Sequence, residues 1–202
     1  VQTALSGPSA GVVGAIYICK TAGFQNLITY DMGGTSTDVS LVLNGTPEYT
    51  TKRKVCGLPS GIPMIDVHAV GAGGGSIAHI DPGGALKVGP ESAGASPGPA
   101  CYDLGGASPV VTDANLVLGR INPGYVLGGR MKLNREKAAE ALDRAVAKPM
   151  GISTEQAALG IVQVVNSNMA RAIRVITVER GYNPSDFTLV AYGGAGPMHA
   201  VH

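Results

Sequence analysis

The feature that most constrains the fold is a glycine loop between two short runs of β-favouring residues. Residues 27–30 and 38–43 are rich in apolar and β-branched side chains, and a polar turn at residues 31–35 joins them. The sequence DMGGTSTD over residues 31–38 therefore predicts a strand, a glycine loop and a second strand. Asn44-Gly45, a strong turn signal, follows the second strand.

This loop is suited to bind a polyphosphate. Glycine lets the backbone approach phosphate oxygens closely, and exposed amides and hydroxyls can hydrogen-bond to them. The candidate phosphate contacts are Gly33, Gly34, Thr35, Ser36 and Thr37. Asp31 and Asp38 suit Mg²⁺, which keeps several waters and takes few carboxylates, and we expect them to orient the ion or a water. The alternative is an ordinary glycine-rich hairpin with Asp caps.

A second glycine turn follows a late strand. Residues 187–192 are a compact apolar run that predicts a strand, and the sequence GGAGP turns out of it at residues 193–197. An acidic strand end with a glycine turn, followed by a later Gly-Gly turn, is similar to the phosphate and adenosine loops of the actin, sugar-kinase and Hsp70 superfamily. That resemblance implies adenosine contacts by Gly193, Gly194 and Gly196. Either turn alone would be weak evidence.

Helical periodicity is strongest near the carboxyl end. Ser153 and Gln156 have capping-box spacing, and apolar residues then recur at helical spacing until Gly181, which predicts one long helix. We expect the arginines on this helix, including Arg180, to be solvated charges.

Two further helices and a strand-rich region complete the expected α/β domain. Residues 9–22 predict a helix of small residues, and residues 134–147 predict a helix with an Asn cap and a Pro149 stop. Between residues 57 and 106, brief apolar pieces alternate with Gly and Pro, which predicts short strands and long loops.

A metal site is a second chemical possibility. Asp66 and His68 are two residues apart on an extended run, so their side chains leave the same face and could share a metal. Cys101 and Asp113 could complete a mixed set of ligands, for which Zn²⁺ is the fitting ion. Asp66 or His68 could instead act as a base or a phosphate contact. The remaining alternative is a buried His68 hydrogen-bonded to Asp66, with Cys101 a small apolar core residue.

Other polar or glycine-rich positions have weaker cases. We expect His79 at a strand end and His199 at a helix start, as a cap or a surface contact. The glycines of residues 71–76 have no helical pattern directly behind them, so they do not fit a Walker or Rossmann loop. They could wrap an anion or let two backbones meet.

Composition narrows the function classes. The 15 Lys and Arg residues nearly balance the 14 Asp and Glu and form no basic stripe, so nucleic acid is not an expected ligand. No apolar run approaches the roughly 18–20 residues that span a bilayer, so we expect no membrane partner. The 3 cysteines have no CxxC spacing, which favours a reducing compartment and a cytoplasmic protein.

Blocks along nearly the whole chain resemble the hydantoinase/oxoprolinase family, which includes N-methylhydantoinases, 5-oxoprolinases and acetone-type carboxylases. The blocks are SGPSAG at residues 6–11, DMGGTSTDV at 31–39, VGAGGGSIA at 70–78, SPGPACY at 96–102, TDANLVLGR at 112–120 and YGGAGPMHA at 192–200. The resemblance implies a ribonuclease-H-like fold of the actin, sugar-kinase and Hsp70 type.

The resemblance also implies how the chain is organised. Residues 1–202 would be the second ATPase-type domain of a longer chain, with a strand-rich insertion at about residues 52–109. In the family a related glycine loop lies in an earlier domain, and no second copy of Asp-x-Gly-Gly-Thr occurs here. We therefore expect a fragment in which residues 31–38 are the second phosphate element. Half of the ATP cleft would lie on a missing amino-terminal domain.

The implied function is the ATP-dependent hydrolysis of a cyclic amide. ATP and Mg²⁺ would phosphorylate an amide or carbonyl oxygen, making a leaving group that water or the chemistry of a second, B-type subunit resolves. The fragment alone would be inactive, and its small-molecule substrate could be a hydantoin, 5-oxoproline or a ketone. Two alternatives remain, a sugar-kinase or acetate-kinase relative and an actin-like nucleotide-binding module with a structural or sensing role.

Overall fold

The computed structural model describes residues 6–55 and 58–202. The helices are α1 (Ser6–Thr21), α2 (Val111–Val117), α3 (Arg135–Leu142), α4 (Lys148–Met150), α5 (Thr154–Ile176) and α6 (Gly196–His199). The strands are β1 (Leu27–Met32), β2 (Thr37–Leu43), β3 (Thr46–Pro47), β4 (Tyr49–Thr50), β5 (Arg53–Val55), β6 (Leu58–Ser60), β7 (Met64–Ile65), β8 (Val67–Val70), β9 (Ser76–Ile80), β10 (Leu86–Ser92) and β11 (Thr188–Tyr192). The main sheet has the order β11-β1-β2-β3, and β8 also pairs with β2.

β1 lies inside the main sheet because both of its edges are paired. β11 pairs with it in parallel, and β2 pairs with it antiparallel as the hairpin partner that the sequence predicts. β2 is longer than its outer neighbours, so its first residues pair with β8 and its last residues pair with β3. The glycine loop at the β1–β2 turn is thereby held at one end of the sheet.

Side chains alternate between the two faces of the sheet along β1. Ile28, Tyr30 and Met32 point into the larger core, whereas Leu27 packs against Val12 of α1. α5 covers the first face and α1 covers the second. The result is a helix, sheet, helix arrangement, and the expected α/β class is confirmed.

The long predicted helix is present as α5. The Ser153 hydroxyl accepts from Gln156 N, and the Gln156 side chain accepts from Ser153 N, so the predicted capping box forms. Its buried residues are Ala157, Ala158, Ile161, Val162, Val165, Met169, Ala172 and Ile176. Among the residues that the structure describes, no helix, α5 included, has both the length and the apolar character needed to cross a membrane.

The helix predicted over residues 134–147 differs from the prediction in its last turns. Asn134 caps it as expected, accepting from Lys137 N at 3.1 Å. The chain is π-helical over Asp143–Ala147, and Pro149 lies inside α4 rather than ending the helix. Pro is tolerated there because it occupies the first turn of a new helical segment, where its missing N–H leaves no bond unmade.

The sequence does not predict α2. This helix has 7 residues, too few for helical periodicity to register, and two of them, Asp113 and Asn115, are polar yet fully buried. α2 packs against both α3 and α5. Its position is therefore decided by tertiary contacts rather than by local pattern.

The strand-rich region forms short strands and loops, as predicted. β9 and β10 make a hairpin that packs against α5, and β8 joins the main sheet. The insertion boundaries at about residues 52–109 remain a prediction. The part of this prediction that concerns residues 56 and 57 lies outside the described residues.

Arg180, which the sequence predicts to be a solvated charge, is exposed but also pairs with two carboxylates. Its Nη1 lies 2.7 Å from Glu48 Oε2, and its Nη2 lies 2.8 Å from Asp66 Oδ2. The Tyr182 hydroxyl donates to Glu48 Oε1 at 3.3 Å. One guanidinium therefore connects the turn after α5 to Glu48, which lies between β3 and β4, and to Asp66 of the strand-rich region.

We expect Arg180→Ala to lower the free energy of unfolding by about 1–2 kcal/mol, because two part-buried carboxylates lose their shared counter-charge. Arg174→Ala is the matched control, since Arg174 is exposed and the described part of the chain offers it no ion pair. Urea unfolding of both variants measures the difference. Equal stability of the two variants would contradict the structural role of Arg180.

Candidate functional site

The β1–β2 loop, residues 33–36, packs directly against the loop of residues 71–75. Gly75 N donates to Gly34 O at 2.6 Å. A Cβ on Gly73 would lie 2.6 Å from the same Gly34 oxygen, closer than real side chains approach. The second loop is therefore glycine-rich because two backbones meet there, which is one of the two roles expected from its sequence.

The β11–α6 loop, residues 193–195, contacts the end of β1, beside the β1–β2 loop. Ala195 N donates to Met32 O at 2.9 Å. Gly193 has a φ of 82°, and a Cβ on it would overlap the Asp31 carboxylate. The structure thus brings together the two glycine elements that the sequence assigns to phosphate and adenosine.

Three consecutive backbone amides of the β1–β2 loop are free to bind an anion. Gly33 N donates to Ser36 O at 3.0 Å and closes the turn. The N–H groups of Gly34, Thr35 and Ser36 donate to no acceptor within the described residues, and the same holds for the hydroxyls of Thr35 and Ser36. Successive unpaired amides in a turn form a concave anion-binding site.

A cavity of about 440 Å³ opens beside this loop. Its floor is formed by backbone of Gly33, Gly34, Gly74 and Gly194. Its side-chain walls are Tyr102, Thr112, Arg120, Ile121, Asn122, Val126, Leu133, Ala195 and Met198. Mostly apolar walls with a few polar groups, in a volume of this size, are typical of sites that bind a small organic molecule.

Sequence reasoning missed most of the side chains that line this cavity. Tyr102, Thr112 and Met198 lie within blocks that carry the family resemblance, at residues 96–102, 112–120 and 192–200. Their presence in those blocks is therefore the sequence signal that could have identified them as site residues. No local pattern connects three blocks that are so far apart in the chain.

Asp31 and Asp38 are direct cross-strand partners in the β1–β2 hairpin. Their Cβ atoms are therefore about 5 Å apart, and both side chains leave the face of the sheet opposite to Met32 and Thr37. Burial raises the pKa of Asp31. Two carboxylates held this close repel each other, and a divalent cation would relieve that repulsion.

Two predicted ligand contacts support the loops from behind instead. Thr37 is fully buried, and its hydroxyl donates to Ala72 O at 2.5 Å. Gly196 is buried at the start of α6, where a Cβ would lie 3.5 Å from Tyr30 O. Neither residue lines the cavity, so their contact with a cofactor stays a prediction.

The predicted zinc cluster is not assembled. Asp66 is paired with Arg180, and it makes no hydrogen bond to His68 in the part of the chain that the structure describes. Across residues 6–55 and 58–202, no three His, Cys, Asp or Glu side chains are grouped so that they could hold a metal ion. The predicted four-ligand zinc site and the alternative hydrogen bond between Asp66 and His68 are both wrong, because Asp66 pairs with Arg180.

Of the predicted metal ligands, Cys101 and Asp113 do lie together. Asp113 accepts hydrogen bonds from Cys101 N at 2.8 Å, Val110 N at 3.0 Å and Ala100 N at 3.2 Å. Burial and the neighbouring Asp113 charge raise the pKa of the Cys101 thiol, which therefore stays protonated at neutral pH. The pair links α2 to the 3₁₀ turn Ala100–Tyr102 beside the cavity.

His199 is buried rather than a cap or a surface contact. Only 4% of its surface is exposed. Its Nε2 lies 3.0 Å from Asn115 Nδ2, and its Nδ1 lies 2.7 Å from Asn166 Oδ1. With the amides so oriented, Asn115 donates to Nε2 and the ring donates through Nδ1. The other predicted histidine, His79, lies exposed on β9, near the strand end where the sequence placed it.

Protein stability should fall as the pH drops from 6.5 towards 4. Burial, followed by the charge of Arg120, lowers the pKa of His199 from 6.5 to about 4. Between these two pH values the unfolded chain binds a proton on His199 and the folded chain does not. The free energy of unfolding therefore falls, by about 3 kcal/mol at most. His199→Gln should flatten this dependence and exposed His79→Gln should not. Parallel pH curves for His199→Gln and wild type would contradict the assignment.

Comparisons with known proteins agree with the block pattern. The model of the family described as hydantoinase/oxoprolinase matches residues 1–202. Caprolactamase subunit alpha of Pseudomonas jessenii is 47% identical over 196 residues, which are 97% of this chain and 28% of that protein. The acetophenone carboxylase gamma subunit of Aromatoleum aromaticum is 48% identical over 200 residues, which are 98% of this chain and 27% of that protein. The chain thus spans less than a third of the length of these relatives.

The fold agrees as well. The chain superposes on a crystal structure of an ATP-dependent caprolactamase from Pseudomonas jessenii with a TM-score of 0.85 and 46% identity, covering 96% of this chain and 28% of that one. An α/β domain of the actin-like class is therefore confirmed. With the family model matched over residues 1–202 and relatives this similar, the chain belongs to the hydantoinase/oxoprolinase family.

Proposed function

We propose that this chain is the second ATPase-type domain of an ATP-dependent enzyme that activates a cyclic amide by phosphorylating its amide or carbonyl oxygen. The observation that carries the proposal is the run of unpaired amides at Gly34, Thr35 and Ser36 beside a mostly apolar cavity. Anion-binding amides next to an apolar pocket match the two chemical halves of a nucleotide.

The β1–β2 loop is the proposed phosphate site. Its three free N–H groups and the hydroxyls of Thr35 and Ser36 are all donors, which suits phosphate oxygens. Asp31 and Asp38 would hold Mg²⁺ through one or two carboxylate oxygens and waters, since this ion rarely takes a complete protein cage. Their placement as cross-strand neighbours supports that role.

The cavity is the proposed adenosine site. Its volume of about 440 Å³ leaves room for a base and a ribose, and Tyr102, Ile121 and Met198 supply apolar walls for a planar ring. Gly194 places backbone against the ligand without a side chain between them. The glycine element predicted for adenosine would therefore contribute through Gly194, which lines the cavity, with Gly193 and Gly196 shaping the turn around it.

Bound ATP would supply the phosphoryl group that turns a poor amide or carbonyl oxygen into a leaving group. The residues of this chain contribute positioning and charge, which is most of what in-line phosphoryl transfer requires of a protein. The loop amides hold the phosphate oxygens. The two carboxylates would orient the metal ion.

The rest of the ATP cleft is proposed to lie on an amino-terminal domain of the same polypeptide. The chain covers 28% of caprolactamase subunit alpha, so that relative has much additional chain. α1 carries exposed apolar side chains at Val13, Tyr17 and Ile18, with exposures of 56%, 74% and 67%. A run of large apolar groups on one helix is unusual for a surface in water and suits a covered one.

A second subunit and a cytoplasmic location complete the proposal. The relatives are themselves named as alpha and gamma subunits, which supports a B-type partner for this chain. Cys19 and Cys101 are free thiols buried in the fold, which favours a reducing compartment.

A carboxylase is the second candidate function, favoured by the 48% identity with the acetophenone carboxylase gamma subunit. A ketone oxygen and an amide oxygen pose the same phosphorylation problem, so one nucleotide site would serve either. ATP hydrolysis by the full-length enzyme, measured against lactams, hydantoins, 5-oxoproline and ketones with and without bicarbonate, separates the two.

We expect Asp31→Asn and Asp38→Asn to lower ATP turnover in the full-length enzyme by about 100-fold or more, because each removes charge directed at the metal. The midpoint of thermal unfolding should change little. Asp186→Asn, at an exposed carboxylate outside the site, is the control. Wild-type turnover in both site variants would contradict the assignment of the β1–β2 loop as a phosphate site.

We expect residues 1–202 alone to bind Mg·ATP weakly, with a Kd of about 1 mM or higher, since one phosphate element and one adenosine element leave half of the cleft open. Isothermal titration calorimetry measures this directly. Micromolar binding by this segment would show that it carries a complete nucleotide site.

A further inference from the structure

The buried His199 network has no part in the site chemistry so far described, yet it lies directly behind the β11–α6 loop. α6 has 4 residues, and a helix of that length has almost no stability of its own. Its position must come from contacts with the rest of the protein. His199, its last residue, supplies two of them.

Both ring nitrogens of His199 are committed to helices of the core. Asn115 belongs to α2 and is fully buried, and Asn166 belongs to α5. The distances of 3.0 and 2.7 Å fix both the plane and the direction of the ring. A leucine at position 199 could fill the same space, but it could make neither of these two hydrogen bonds.

The helix α2, which carries Asn115, also contacts the loop behind the proposed phosphate site. Thr112 N and Thr112 Oγ1 both bond to Gly74 O, at 2.7 and 2.8 Å, and Gly74 N donates to Gly33 O at 2.9 Å. Thr112 and Asn115 are three residues apart and share one face of α2. One turn of α2 therefore connects the loop behind the phosphate amides to the histidine behind the adenosine loop.

We propose that His199 is a positioning residue, which acts through Asn115 and Asn166 to set the spacing between the adenosine-binding loop and the phosphate-binding loop. This inference rests on the proposed function. ATP engages both loops at once, so its affinity depends on their spacing, whereas a ligand that engages one loop does not sense it. A residue needed only for packing would affect both kinds of ligand alike.

The test compares ATP with inorganic tripolyphosphate as ligands of the full-length enzyme. We expect His199→Leu to raise the Kd and the KM for ATP about tenfold while kcat and the Kd for tripolyphosphate stay within about twofold. Asn115→Leu should have the same effect, and the double variant should be no worse than either single one, because both break one connection. Asn168→Leu is the control, because the Asn168 amide of α5 is half-buried and donates to Val88 O at 3.4 Å, outside the His199 network.

Two results would overturn the inference. Wild-type ATP affinity in His199→Leu would show that the network does not set the spacing. Equal losses for ATP and tripolyphosphate would show that His199 serves general packing. Asn166→Leu, which removes the partner of Nδ1, replaces His199→Leu if the latter does not fold, with the same expected result. Failure of the wild-type enzyme to bind ATP would instead refute the proposed function, so the two failures are distinguishable.

Discussion

The close approach of two backbones, residues 71–75 and the β1–β2 loop, is the constraint on which the rest of the site depends. Gly74 and Gly75 donate to the carbonyl oxygens of Gly33 and Gly34. With those oxygens turned inward, the following amides donate to no acceptor among the residues that the structure describes. A side chain at position 73 would separate the two loops and undo this arrangement.

Buried polar groups then set the relative positions of the loops. On α2, Thr112 bonds the 71–75 loop, Asp113 accepts three backbone N–H groups near Ala100, and Asn115 bonds His199. Such bonds add modest stability, but a misplaced partner would leave a buried polar group unpaired, which is costly. α2 therefore determines where neighbouring segments lie.

Local features were predictable because their causes are local. The capping box at Ser153 needs only residues in one turn, and the hairpin around residues 31–38 needs only two strands and their loop. The same limit explains the errors. Asp66 pairs with Arg180, which lies more than a hundred positions away, so the spacing of Asp66 and His68 suggested a metal site that does not form.

The α/β class, the long helix, the two glycine elements and the family resemblance are all predictable from the amino-acid sequence, because each depends on periodicity, capping or a contiguous block. Which glycines line the cavity depends on tertiary packing, since Gly34 lines it while Gly196 is buried against β1. The burial and the partners of His199 also depend on tertiary packing, because Asn115 and Asn166 lie on two helices far from it in the chain. The direction and burial of a side chain depend on how the whole chain packs, so no short segment specifies them alone.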